Sequence, residues 1–280
     1  MKMLLPLCCL TLALTACSAA VRPDPRSRAP RVQALSPQMT EELGRRIWAN
    51  ECAGSVQGLV SWNEGEAFPS LGIGHFIWYP AGVHEAFDES FPKFVAYART
   101  HRAMTGGPRP VPTYVQESQQ VPAFFNGPAP WPNKAAFLAD RSGRADAMRR
   151  WLAAHVTLQT QFIIARSRAA LPAMMRASHN PQAVQQRYEA LAATAKGMYC
   201  LVDYVNFKGE GLKPEERYNG CGWGLLQVLE TMRPCDAANA PAEFSRAASA
   251  VLTRRVQNAP AARGEQRWLQ GWLNRCATYR

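Results

Sequence analysis

The chain has 280 residues, 47% of them hydrophobic, and a formal net charge of +11. This apolar content is enough for a substantial core, and the basic surplus suits an anionic partner. No segment after the first sixteen residues is long and apolar enough to be expected to cross a membrane.

The N-terminus has the pattern of a secretory signal. Lys2 gives a positive start, and residues 3–14 are almost wholly apolar. The stretch Leu14-Thr15-Ala16-Cys17 resembles the lipobox of bacterial lipoproteins. The resemblance implies a signal peptide over 1–16, lipidation of Cys17 and a site on the periplasmic face of the outer membrane, or secretion after signal cleavage. Nucleic acid is not an expected partner in that compartment.

Residues 17–35 are rich in Pro, Arg and Ala and show no apolar period, which predicts a disordered tether. Residues 36–280 are predicted to form a single domain. Its proline-rich segment near 106–133 is interpreted as an insertion.

The first predicted helix begins with Ser36 as N-cap and Pro37 at its first position. Met39, Leu43 and Ile47 recur every four residues on one face, and the next step of that stripe is Glu51. A carboxyl group is therefore expected at the last core-facing position. An apolar setting there favours the protonated acid.

Residues 56–61 and 70–79 are predicted to be extended, and breaks at Gly65 and Pro69 favour a small hairpin. Further helices are predicted over 144–170, 181–206, 223–232, 241–257 and 263–276. The predicted fold class is mostly α (α+β).

Five cysteines follow Cys17, and disulfides are permitted in the periplasm. Cys235 and Cys276 flank the last helices and are the preferred pair, although connectivity cannot be deduced from sequence.

The run Ser70-Leu71-Gly72-Ile73-Gly74-His75, which follows Glu51, resembles the Thr-x-Gly-x-Gly-His stretch of phage-type lysozymes. The resemblance implies a lysozyme-like helical domain with a small β-hairpin. Glu51 would be the general acid, Ser70 would help to position the attacking water, and Glu64 would be the second acid, with Glu66 as an alternative.

A second stretch, 220–228, contains Gly222-Trp223-Gly224-Leu225-Leu226-Gln227-Val228 and is similar to the Gly-x-Gly-Leu-Met-Gln-Val stretch of goose-type lysozymes and lytic transglycosylases. The similarity implies that Trp223 and Gln227 line a saccharide groove, with a tightly packed helix start as the alternative. Upstream, Glu210 stands between two glycines as a rival acid, a groove residue or an ordinary turn carboxylate.

Aromatic residues surround the first stretch. Trp62, Trp78 and Tyr79 are candidates for stacking on sugar rings, with a place in the core as the alternative. His75 either orients Glu51 or holds the turn.

Together these features predict a glycosidase that cleaves the glycan strands of peptidoglycan as a lysozyme-type hydrolase. If no second carboxylate is within reach, attack by the substrate's own 6-hydroxyl would make it a transglycosylase. The alternative is a non-catalytic wall-binding or envelope-assembly lipoprotein. No metal or organic cofactor is implied, since His84-Glu85 lacks the second His of a zinc-peptidase motif. A Cys nucleophile, Cys52 or Cys200 with His75, has no recognisable local signature.

Overall fold

A computed structural model describes residues 35–101, apart from residue 86, and residues 121–280. The described residues belong to one compact unit. The expected signal peptide, the lipidation site Cys17, the tether and most of the proline-rich segment lie outside the described residues. Within the described part of the chain, no helix is long and apolar enough to cross a membrane.

The architecture is mostly helical with a small β-sheet, as the sequence predicts. The helices are α1 Pro37–Cys52, α2 Phe91–His101, α3 Lys134–Ala139, α4 Arg144–Ala154, α5 Val156–Ala177, α6 Pro181–Ala192, α7 Ala195–Lys208, α8 Leu225–Thr231, α9 Ala240–Asn258 and α10 Gln266–Ala277.

The expected start of α1 is confirmed, because the Ser36 hydroxyl accepts a hydrogen bond from the backbone N–H of Met39 at 3.2 Å. Leu43 and Ile47 are buried on the face that packs against α5 and α7. The helix ends where Ala53 takes a left-handed conformation (φ 50°), one residue beyond Cys52. Glu51 therefore occupies the last turn of a helix anchored in the core.

The predicted hairpin is part of a three-stranded antiparallel sheet of β1 Val60–Ser61, β2 Ser70–Leu71 and β3 Phe76–Ile77, in that order. Ser70 pairs with Ser61 on one side and with Ile77 on the other. A separate two-stranded ribbon joins β4 Arg217–Tyr218 to β5 Cys221–Gly222.

Two predicted long helices are each divided in two. The first breaks at His155, because the side-chain amide of Gln159 donates to the Leu152 carbonyl (2.7 Å) and so replaces a helical hydrogen bond. The second breaks at Thr194, whose hydroxyl accepts from the Gly197 N–H at 3.0 Å and caps the new helix. Helix α2 lies in a segment for which the sequence predicted no helix.

The predicted Cys235–Cys276 disulfide is wrong. Both residues are free thiols, as are the other cysteines in the described part of the chain. Cys276 is fully buried in the core and Cys235 is half-buried before α9, so flanking the last helices does not bring the two sulfur atoms together.

We expect Gly197→Ala to destabilise the protein. A Cβ at this position would lie 2.1 Å from the backbone oxygen of Leu191, so α6 and α7 would have to separate. The expected cost is about 1–3 kcal/mol in the free energy of unfolding, measured by urea titration. Gly271→Ala is the control, since a Cβ there meets open space and should stabilise α10 by up to about 1 kcal/mol. Equal stability of the two variants would contradict the packing argument.

Candidate functional site

Glu51 lies at the C-terminal end of α1 with its side chain only 18% exposed. One carboxylate oxygen, Oε2, lies 3.6 Å from Nδ1 of His75. The other, Oε1, lies 3.5 Å from Nη2 of Arg275 on α10. The helix-end carboxyl group therefore stands between two basic side chains contributed by distant parts of the chain.

The turn that carries His75 is held from beneath by Gln159 of α5. The fully buried Gln159 accepts a hydrogen bond from the backbone N–H of Ile73 through Oε1 at 2.9 Å. Gly72 has φ of 71°, and a Cβ there would lie 2.3 Å from the same Oε1 atom. His75 itself has φ of 45°, a conformation that few non-glycine residues adopt and that is often found at functional sites.

Arg275 is fixed by a buried carboxylate, Asp203 of α7, which is 2% exposed. Its Nε and Nη2 atoms donate to the two Asp203 oxygens at 3.0 and 2.7 Å. The hydroxyls of Tyr199 and Tyr279 donate to the same carboxylate at 2.9 and 2.5 Å. Burial disfavours the charge on Arg275, but its hydrogen bonds to Asp203 outweigh this effect and raise its pKa above the usual value.

Cys52 follows Glu51 in the chain and lies against the other nitrogen of His75, with 4.0 Å between Sγ and Nε2. Burial, followed by the nearby charge of Glu51, raises the pKa of Cys52 to about 11. A nucleophile must be the thiolate, so this pKa argues against the cysteine alternative.

Glu210 lies just beyond the end of α7, in a segment packed against the second glycine-rich stretch. Its backbone carbonyl accepts from the Leu226 N–H at 3.0 Å. A Cβ at Gly224 would lie 2.0 Å from the backbone nitrogen of Gly211, so only glycine permits this approach. Gln227 completes the junction, because it accepts from the Gly224 N–H (3.0 Å) and donates to the Gly211 carbonyl (3.2 Å).

The half-buried Glu210 side chain lines a cavity and makes no hydrogen bond or ion pair with any other described residue. The cavity walls include the apolar side chains of Phe76, Ile163, Val202 and Leu225. Arg166, Ser167 and Asn206 also line the cavity. Burial, followed by the charge of Glu216, raises the pKa of Glu210 above its ordinary value. These are the surroundings of a carboxyl group that keeps its proton more readily than an exposed one.

The expected second acids lie in the loop between β1 and β2. The Glu64 side chain is 95% exposed and paired with Lys134 of α3, and the hydrogen bond from that lysine lowers the pKa of Glu64. Glu66 accepts from the Asn63 side-chain amide at 3.1 Å. No contact between described residues joins either carboxylate to Glu51, while Ser70 is buried in β2.

The aromatic candidates are mostly core residues. Trp78 is fully buried and donates to the Gly127 carbonyl, so of its two predicted roles the structure supports the place in the core. Trp62, Tyr79 and Trp223 are 6–7% exposed and give little ring surface to a ligand. Gln227 lies at the junction described above, where its amide bonds to backbone.

The structure brings the two glycine-rich stretches together. Gly74 of the first and Leu225 of the second line the cavity that holds Glu210. In the described part of the chain, no group of three His, Cys, Asp or Glu side chains is arranged to hold a metal ion. Sequence reasoning missed Asp203, Arg275 and Tyr279, which no local motif marks.

Searches of protein-family models, curated proteins and solved structures found no match to this chain.

Tyr279→Phe should destabilise the protein, because it removes a donor from the buried Asp203 carboxylate. A hydrogen bond to a charged group contributes about 1.5–3 kcal/mol, and a loss of this size is expected in urea unfolding. The matched control is Tyr97→Phe, whose hydroxyl has no hydrogen-bond partner among the described residues. A loss no greater than that of the control would refute the role given to Tyr279.

Glu210→Gln should stabilise the protein at neutral pH and have little effect near pH 4. The pKa of Glu210 is raised in the folded state, so the folded protein binds this proton more tightly than the unfolded chain does. The free energy of unfolding is therefore highest at low pH, where Glu210 is protonated in both states, and it falls as pH rises through the folded pKa. Glutamine cannot lose a proton and escapes this loss. Urea unfolding at both pH values tests this, with the exposed Glu64→Gln as the control that gains nothing. A gain independent of pH would contradict the argument.

Proposed function

We propose that this protein is a glycosidase that cleaves the glycan strands of peptidoglycan at the turn over residues 72–75. The observation that carries the proposal is the placement of two carboxyl groups beside this turn. His75 contacts Glu51, and its chain neighbour Gly74 lines the cavity of Glu210. The local resemblance to two lysozyme types supports the same reaction class.

The two carboxyl groups have different surroundings, as glycoside hydrolysis requires. Glu210 makes no ion pair within the described part of the chain, and its burial in the cavity raises its pKa against the opposing charge of Arg166, which suits the donor that protonates the leaving oxygen. Glu51 contacts the guanidinium of Arg275, which carries a permanent positive charge, and the ring of His75. The resemblance assigned the donor role to Glu51, whereas these contacts favour Glu51 as the anion.

In the proposed reaction the glycosidic C–O bond breaks as Glu210 transfers its proton to the leaving oxygen. The Glu51 carboxylate stabilises the positive charge that develops on the sugar ring. Attack by water gives a new reducing end, and the proton that this water loses returns Glu210 to its acid form. Attack by the substrate's own 6-hydroxyl gives a 1,6-anhydro end and describes a transglycosylase.

The proposed setting is the periplasmic face of the outer membrane, with the chain anchored through a lipid on Cys17. The anionic character of peptidoglycan fits the net charge of the chain, +11. Charge alone would serve a non-catalytic wall-binding lipoprotein equally well, and the unpaired Glu210 favours the enzyme.

Glu51→Gln and Glu210→Gln should each lower the release of muropeptides from purified peptidoglycan by about 100-fold or more, because each removes a group required in the transition state. Mass spectrometry of the products provides the measurement. Glu64→Gln is the matched control and should retain activity near that of the native chain, because Glu64 is exposed and paired with Lys134.

Two results would count against the proposal. Absence of products from several wall types, including deacetylated glycan, would leave wall binding as the better account. Full activity of Glu210→Gln would remove the proposed donor, and the donor role would return to Glu51. The pH dependence of kcat/KM provides a further check. Because the donor must be protonated, kcat/KM should fall only at pH values above the ordinary pKa of a glutamate.

A further inference from the structure

The last helix, α10, presents a row of side chains that leads to Glu51. Trp268, Trp272 and Arg275 follow one another at spacings of four and three residues, so they share one face of the helix. Trp268 is 44% exposed, whereas Trp223 and Trp62 are 6% exposed. At the other end of the row, Arg275 contacts the Glu51 carboxylate. At 1.5 Å per residue, the row spans about 10 Å.

The two indole rings are held in place by each other and by cations. Their centroids lie 6.1 Å apart with an angle of 33° between the ring planes. The Arg267 guanidinium lies 4.5 Å from the Trp268 centroid, and the Arg255 guanidinium lies 4.9 Å from that of Trp272. Rings fixed in this way lose little side-chain entropy when a ligand binds.

The rest of the solvent-exposed side of α10, about 120–160° around the helix axis from Trp268, carries hydrogen-bonding amides. Gln270 and Asn274 lie one turn apart, and the Gln270 amide donates to Asn274 Oδ1 at 2.9 Å. Over residues 261–280 the chain has four arginines and a single acidic residue, Glu265. Glu265 is buried and paired with Arg255, so the outward charge of this region is positive.

We propose that the solvent-exposed side of α10, with the row from Trp268 to Arg275 along one edge, is a glycan-binding platform that extends the candidate site. Its ligand would be a polymer of N-acetylated sugars bearing carboxylates, bound through ring stacking on Trp268, amide hydrogen bonds and arginine charge. A helix that lies on a membrane needs a wide apolar face, whereas the exposed side of α10 has Trp268 at one edge and Arg267, Gln270 and Asn274 across the rest. This inference rests on the proposed function, because only that function requires the bound glycan strand to run toward Glu51.

The test is co-sedimentation of the full chain with insoluble peptidoglycan, in a Glu51→Gln background so that the polymer is not consumed. Trp268→Ala should weaken binding about tenfold, and Trp268→Phe should restore part of it because a ring remains. Leu138→Ala on α3 is the matched control, since Leu138 is an apolar side chain that is 61% exposed. This control should bind like the parent.

Equal binding by Trp268→Ala and its parent would overturn the platform. The platform would also be overturned if Trp268→Ala bound anionic phospholipid vesicles less well than its parent but bound peptidoglycan equally well. That result would make this side of α10 a membrane contact. The fate of the proposed function is read separately, from product release by the chain with Glu51 intact. If the native chain releases muropeptides but Trp268→Ala does not weaken peptidoglycan binding, only the platform is refuted. If Trp268→Ala weakens binding but the native chain releases no muropeptides, only the enzyme is refuted.

Discussion

The rest of the candidate site depends on the buried carboxylate of Asp203. A charge that is 2% exposed is costly unless its oxygens are fully hydrogen-bonded. Arg275 supplies two donors and the hydroxyls of Tyr199 and Tyr279 supply two more, so α7 and the end of α10 are joined by one network. The same Arg275 then reaches Glu51, which connects α1 to the network. The C-terminal helix is thereby part of the site as well as part of the core.

This network gives the two glutamates beside the turn different electrostatic surroundings. Glu51 shares the positive charge of Arg275, although the closer partner of that guanidinium is Asp203. Glu210 makes no ion pair with a described residue, and burial raises its pKa although Arg166 in the same cavity wall opposes this. An unpaired, half-buried carboxyl group weakens the fold at neutral pH. In the proposed function this cost maintains a reactive group, and the cavity that Glu210 lines would give that group access to a ligand.

Local sequence signals predicted the features that depend on neighbouring residues, such as the start of a helix and the turn of a hairpin. The Ser36 cap and the four-residue apolar stripe located α1 and placed Glu51 at its end, and the breaks at Gly65 and Pro69 located the turn of the sheet. The helix breaks at His155 and Thr194 were missed, because side-chain hydrogen bonds cause them without a glycine or proline at the break. The contact between Glu51 and Arg275 spans 224 residues, and no periodicity reports a contact of that kind.

The two glycine-rich stretches show why sequence proximity did not point to Glu210 as the second carboxyl group beside the turn. Each stretch resembles a different lysozyme type, and proximity in sequence favoured Glu64 and Glu66, which extend into solvent or toward their own loop. The fold instead packs Gly224 onto Gly211 and brings Glu210 to the cavity that Gly74 also lines. Glycine is required there because two backbone segments meet without space for a Cβ. The stretch over 220–228 therefore acts by placing Glu210, and its own Gln227 and Trp223 support the junction from within.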